Sequence, residues 1–137
     1  MMNTSVNISV IVPIYGVENF IARFADSLLS QDYPCIQFIF VNDGSRDATL
    51  HNLKKLYAKQ LCPVKIVSFS RNFGKEAAMF AGLEQAAGDC CVMIDCDLQH
   101  PPQKIVEMYR LWEEGYEIIE GQKSSRGKES KLHNLAA

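Results

Sequence analysis

Short runs of β-branched and aromatic residues alternate with amphipathic segments of helical period along most of this chain, and that alternation restricts the fold more than any other feature. Ile8–Ile14 (ISVIVPI) is a near-continuous apolar run, the pattern of a strand covered on both faces. Residues 18–30 place Phe20, Phe24 and Leu28 at four-residue spacing, with Ile21 and Leu29 alongside, which predicts one helical face. Ile36–Val41 reads as a second strand. The turn Asn42-Asp43-Gly44-Ser45 follows, with Ser45 predicted to cap a helix carrying Leu50, Leu53 and Tyr57. Val64–Phe69 is a third strand, and the helix after it has Met79, Leu83 and Ala86 at core spacing before Gly88. Cys90–Ile94 is a fourth strand. Pro101-Pro102 opens a helix with Ile105, Met108 and Trp112 facing inward, Gly115 closes it, and Tyr116–Ile119 predicts a short fifth strand. Strands alternating with helices mean parallel pairing through right-handed crossovers. The expected fold is α/β and Rossmann-like, a mostly parallel sheet of about five strands with helices on both faces.

The chain has 137 residues, enough for about one domain. We expect a single domain over 1–137 whose last part, 121–137, is a polar, basic tail. Lys and Arg number 14 and Asp and Glu 16, a formal charge of −2, without the basic excess of a general nucleic-acid binder. No apolar stretch approaches the ~18 residues of a membrane span, and Met1–Val10 lacks a secretory layout, so a cytoplasmic setting is expected. The five cysteines (Cys35, Cys62, Cys90, Cys91, Cys96) are odd in number and form no C-x-x-C, so reduced structural thiols are expected. Ending in a basic segment soon after its fifth strand, the chain reads as incomplete.

In open parallel sheets ligands bind beyond the carboxyl ends of the strands, so the informative residues follow each strand. Asp95-x-Asp97 lies directly after the fourth. Side chains two apart on an extended chain point the same way, and two carboxylates with the Gln99 carbonyl make a hard-oxygen set suited to Mg²⁺ or Mn²⁺. Asp43 has two readings, bonding its own turn or accepting from the N–H groups of a nucleobase. Arg71 and Lys75 flank Gly74 at a helix entry, an arrangement that reads equally as an anion site or as two solvated surface cations. His100, beside the acidic motif, reads as a loop-packing residue as readily as a functional one. Absent are G-x-G-x-x-G after the first strand, a P-loop and a G-x-S-x-G elbow.

The runs V-I-V-P-I-Y-G-V-E (10–18), S-L-L-S-Q-D-Y-P (27–34), V-N-D-G-S-R-D-A-T (41–49) and A-G-D-C-C-V-M-I-D-C-D (87–97) resemble the family-2 glycosyltransferases of GT-A fold. S-R-N-F-G-K-E-A-A (70–78), D-C-D-L-Q-H-P-P (95–102) and W-E-E-G-Y-E (112–117) are similar to the polyprenyl-phosphate branch of that family. The likeness covers about residues 7–132. It implies an inverting transfer of sugar from a UDP- or GDP-sugar to a lipid phosphate. Pro13 and Tyr15 would then line the base and ribose pocket, Asp43 would bond the base, and Arg71 and Lys75 would lie near the phosphates. Asp95, Asp97 and Gln99 would hold the divalent ion, with Asp95 and Asp97 counted as catalytic. Where the family often has Tyr-Asn, this chain has Tyr15-Gly16, which predicts a looser loop. Full-length relatives add a second catalytic half and associate with membranes.

Lys123, Arg126, Lys128 and Lys131 form a basic stretch that reads either as a solvated tail or as a feature drawn to the acceptor phosphate or an anionic membrane surface. A nucleotide-binding module without catalysis of its own is the alternative function. A sugar nucleotidyltransferase ranks third, because Tyr15-Gly16-Val17-Glu18 is not the Gly-rich basic loop such an enzyme carries.

Overall fold

The computed structural model describes residues 7–30, 35–59, 63–97 and 102–122. Four strands, β1 (Ile8–Ile14), β2 (Ile36–Asn42), β3 (Val64–Ser68) and β4 (Cys90–Met93), form one parallel sheet in the order β3-β2-β1-β4. The helices α1 (Ile21–Leu29), α2 (Thr49–Ala58) and α3 (Lys75–Gln85) connect them in turn. The steps β1→β2→β3 move one way across the sheet and β3→β4 returns past β1 to the far edge. With right-handed crossovers, α1 and α2 cover one face and α3 the other. The parallel α/β expectation is met.

β1 and β2 are central and covered on both faces, which is why their sequences are continuous rather than alternating. Every residue of β2 is buried, as is all of β1 except Pro13. Ile11, Ile39, Val41 and Ala78 form a core on the α3 side, with Val67, Phe69, Ala81 and Ala86 packed against it. Val10, Val12, Phe38 and Phe40 point the other way by the two-residue pleat. That is the side of α1 and α2, whose own buried residues include Phe24, Leu28 and Leu53.

Pro13 stands in a central strand because its missing donor is not needed there. Ile11 C=O accepts from Ile94 N–H (3.1 Å), so Ile11 bonds toward β4, and Pro13, two residues on, faces the same side. β4 ends its pairing at Met93, opposite Ile11. The proline therefore lies where the ladder has stopped.

Four expectations are corrected. Tyr116–Ile119 forms no strand, so the described residues hold four strands rather than five; a strand exists by pairing, and Ile118 is 80% exposed. Phe20 is 51% exposed because it precedes α1 rather than joining its buried face of Ile21, Phe24, Ala25 and Leu28. Ser45 does not cap α2, which begins at Thr49. The buried face of α3 is Ala78 and Gly82, while Leu83 is exposed and Met79 only half-buried. The reason for the last is distance. A Cβ at Gly82 would lie 2.4 Å from Ile11 Cγ2, so α3 approaches β1 closely only through small residues.

A polar staple holds the opposite edge of the sheet. Ser9 Oγ donates to Gln37 Oε1 (3.0 Å) and accepts from Gly88 N–H (2.9 Å), while Ala87 N–H is shared between Ser9 Oγ and Gln37 Oε1 (3.2 Å each). These bonds satisfy the backbone where the chain turns from α3 into β4.

The described residues from Gln103 onward belong to a separate compact unit. Its described part is helix α4 (Gln103–Glu113) and the segment to Gln122, with the Tyr109 and Trp112 rings stacked at 5.7 Å. No helix among the described residues is long and apolar enough to cross a membrane.

Gly82→Ala tests the close approach of α3. Alanine is the better helix former by ~1 kcal/mol, yet overpacking Ile11 costs about 1–3 kcal/mol. The expected net result in urea denaturation is destabilisation, opposite to the propensity effect.

Candidate functional site

The ends of β1, β2 and β3 lie level, because Ile14 pairs with Asn42 and Asn42 with Ser68. The three following loops therefore leave the sheet side by side. Between them is a cavity of about 230 Å³ whose walls include Tyr15, Asn42, Ser45, Arg46, Arg71 and Asn72. β4 departs three residues short of the end of β1, and Asp95 and Asp97 continue beyond it. Strand order reverses between β1 and β4, the place where such sheets bind ligands.

Asp43 is 4% exposed, and both carboxylate oxygens reach across to the loop after β3. Oδ1 accepts from Phe73 N–H (2.7 Å), and Oδ2 accepts from Gly74 N–H (3.1 Å) and the Asn72 amide (3.2 Å). The turn-holding bond falls instead to Asn42, whose Oδ1 accepts from Ser45 N–H (3.2 Å). A carboxylate offers about four acceptor positions, of which these bonds take three. Gly44 makes the approach possible. It has φ +71, and a Cβ there would lie 2.2 Å from the Arg71 carbonyl carbon.

Arg71 stacks its guanidinium 4.3 Å from the centroid of the Phe73 ring, which meets Phe69 edge-on. Lys75 opens α3 and pairs with Asp95, Nζ to Oδ1 2.6 Å, both side chains about half exposed. Cys96 lies buried between Asp95 and Asp97. Burial first, and the neighbouring Asp97 charge second, push its thiol up to about 12.

Of the residues singled out from sequence, Tyr15 and Arg71 line the cavity, and Asp43 lies between two lining residues, Asn42 and Gly44. Pro13 is in β1, and Lys75 and Asp95 form their own pair. Asp97 is exposed. Gln99, His100, Lys123, Arg126, Lys128 and Lys131 lie outside the described residues, as does Cys62. Among the described residues no three His, Cys, Asp or Glu side chains gather into a metal-holding group.

Sequence reasoning missed the residues that hold the β1–α1 loop. Gly16 N–H donates to Ser45 Oγ (3.0 Å), Val17 N–H to Thr49 Oγ1 (3.0 Å) and Glu18 N–H to Asp47 Oδ2 (3.5 Å). In return Ala48 N–H donates to Glu18 Oε2 (2.9 Å), and the Asn52 amide donates to the Glu18 carbonyl (3.2 Å). Asp47 Oδ1 accepts from both the backbone and the hydroxyl of Thr49. The Thr49 hydroxyl, before other bonds, holds the Asp47 carboxyl below its ordinary 3.8. The stabilisation this brings is present above that value and lost as pH falls below it. The available signal was the spacing of Ser45 and Asp47, two oxygen-bearing side chains just ahead of a helix that opens on Thr49. Gly16 adopts φ +61, a conformation that glycine takes freely and asparagine tolerates. The loop is thus fixed by bonds to its N–H groups rather than by a side chain at position 16.

Residues 9–135 match the family described as Glycosyl transferase family 2. The uncharacterized glycosyltransferase sll0501 of Synechocystis is 38% identical over 136 residues, covering 97% of this chain and 42% of the relative. The bactoprenol glucosyl transferase of Shigella phage SfV is 35% identical over 134 residues, covering 95% and 43%. The chain thus spans about two fifths of the length of these relatives. Among solved structures, S. aureus TarS 1–349 in complex with UDP-GlcNAc superposes with a TM-score of 0.67 at 27% identity, covering 79% of this chain and 31% of that one. The mannosyltransferase PcManGT from Pyrobaculum calidifontis, in complex with GDP-Man and Mn²⁺, gives 0.64 at 26% identity, covering 66% and 27%.

Two outcomes follow from this geometry. Asp43→Asn turns an amide N–H₂ toward N–H donors and is expected to destabilise the chain by about 1–3 kcal/mol in urea denaturation. Cys96 is expected to resist iodoacetamide at pH 8 in the folded chain and to react once denaturant is added, since only the thiolate is nucleophilic; mass spectrometry of the labelled peptides reads this, with exposed Cys35 as the reactive reference.

Proposed function

We propose, from the premise that this chain belongs to glycosyl transferase family 2, that it carries the donor site of an inverting glycosyltransferase using a UDP- or GDP-sugar. The observation that carries the reading is the cavity at the sheet's carboxyl edge, walled by Tyr15 and Arg71, with the Lys75–Asp95 pair joining the start of α3 to the segment after β4. The cavity would take the base and ribose, with Pro13, Tyr15 and Asp43 on that side. The diphosphate would lie toward Arg71 and Lys75.

Asp95, Asp97 and Gln99 are oxygen donors of the hard type that Mg²⁺ and Mn²⁺ prefer. The ionised Asp95 carboxylate already draws in one cation, the Lys75 ammonium, which fits a site built for positive charge. A bound divalent ion supplies charge stabilisation to the departing diphosphate. The mannosyltransferase complex with GDP-Man and Mn²⁺ supports the same ligand class.

In the reaction an acceptor oxygen attacks the anomeric carbon from the face opposite the diphosphate, the sugar–phosphate bond breaks, and the nucleoside diphosphate leaves. Arg71 and Lys75 would counter the negative charge that grows on it, an effect strongest when the cations are held in place beforehand. Relatives named bactoprenol glucosyl transferase support a polyprenyl phosphate as acceptor. Such a phosphate is anionic at neutral pH and attacks without a strong general base. The basic residues Lys123, Arg126, Lys128 and Lys131 would attract it or an anionic membrane surface.

Calorimetry of this chain with UDP and GDP, with and without Mn²⁺, tests the reading. Binding is expected to require the metal and to weaken at least about tenfold in Asp97→Ala, a loss of ~1.4 kcal/mol. Equal binding without metal, unaltered by that substitution, overturns it.

A further inference from the structure

The geometry points to Thr49, with Asp47 and Glu18, as positioning residues that hold the Tyr15 wall of the cavity against its Ser45–Arg46 wall. Thr49 is fully buried and is not a wall residue. A buried hydroxyl requires partners, and Thr49 has two. Its oxygen accepts from Val17 N–H (3.0 Å), and its proton goes to Asp47 Oδ1. Because Asp47 takes the proton, the oxygen lone pairs are left aimed at Val17, two residues from Tyr15.

The same two segments are joined in the reverse direction. Glu18, from the β1–α1 loop, reaches the start of α2 and accepts from Ala48 N–H (2.9 Å) at the residue before Thr49. α2 has no side-chain cap from its own N-cap residue Ala48. The carboxylates of Glu18 and Asp47 supply acceptors for the Ala48 and Thr49 N–H groups, at the helix end where negative charge is favourable. Each loop thus satisfies backbone groups the other leaves open, across about thirty residues of sequence (|i−j| of 30 to 32).

The consequence for the cavity is direct. Tyr15 immediately precedes the three clasped residues Gly16–Glu18, and Ser45 and Arg46 immediately precede Asp47. Ser45 itself is both a wall residue and the acceptor for Gly16 N–H (3.0 Å). A clasp that slackens lets the two walls separate while the sheet stays intact. This role rests on the nucleotide-sugar reading of the cavity.

The test compares Thr49→Val, which keeps the shape and removes the hydroxyl, with Thr49→Ser, which keeps the hydroxyl. Amide hydrogen exchange at Val17 is measured without ligand, and UDP affinity with Mn²⁺ by calorimetry. Thr49→Val is expected to speed Val17 exchange and to weaken UDP binding, each about tenfold, with Thr49→Ser close to the unaltered chain in both. Glu18→Gln, which weakens the return bond without touching the core, is expected to shift both in the same direction by less. Val17 exchange that is the same in all variants overturns the clasp. Faster exchange with unaltered UDP affinity overturns the positioning role. Failure of the unaltered chain to bind either UDP or GDP overturns the nucleotide reading and with it that role, while the exchange measurement still decides the clasp.

Discussion

Backbone N–H groups that emerge from the end of a parallel sheet find no next strand to accept them, and the carboxyl edge of this sheet is organised around that shortage. Acidic and hydroxyl side chains meet the demand between loops. Asp43 takes Phe73 and Gly74, Ser45 takes Gly16, and Thr49 takes Val17. Where such a donor is shielded from water, leaving it without an acceptor costs about 1–3 kcal/mol, and the pairings join loops that the sheet itself does not link. The cavity is the space that remains once the loops are tied. Its walls are mainly the residues next to those ties, together with the ends of β2 and β3.

The parts of the fold legible in the sequence are those decided by local pattern. β1 and β2 are sandwiched between helices and so consist of unbroken apolar residues, and their predicted limits, Ile8–Ile14 and Ile36–Val41, agree with the structure to within a residue. The inward face of α3 was not legible, because periodicity weighs large apolar residues. Here Ile11 occupies the space and leaves room only for Ala78 and Gly82. Ser45 looked like a helix cap because its residue type fits that role. Its hydroxyl is instead drawn 29 positions back along the chain to Gly16.

The same division runs through the site. Tyr15 and Arg71 were legible because they lie in the loops that leave β1 and β3, strands whose ends the topology aligns. Asp43 was visible as a residue, but its bonds were not, since they join loops about thirty positions apart (|i−j| of 29 to 31). Thr49 carried no signal of its own. A threonine in the first turn of a helix is unremarkable until the opposing loop is seen to place Val17 N–H against it.

Two kinds of electrostatic contact therefore coexist at one edge, and their costs differ. Asp43 is buried with three N–H donors around it, so moving it exposes several polar groups at once. The Lys75–Asp95 pair is short, yet its side chains are 59% and 44% exposed. A pair so solvated is worth about 0–1 kcal/mol, since water screens the attraction and replaces most of what separation loses. Breaking it costs little. The half of the edge around Asp43 is held by several hydrogen bonds to one buried carboxylate. The half that would meet phosphate is open to water, and its charges can be re-paired without disturbing the sheet.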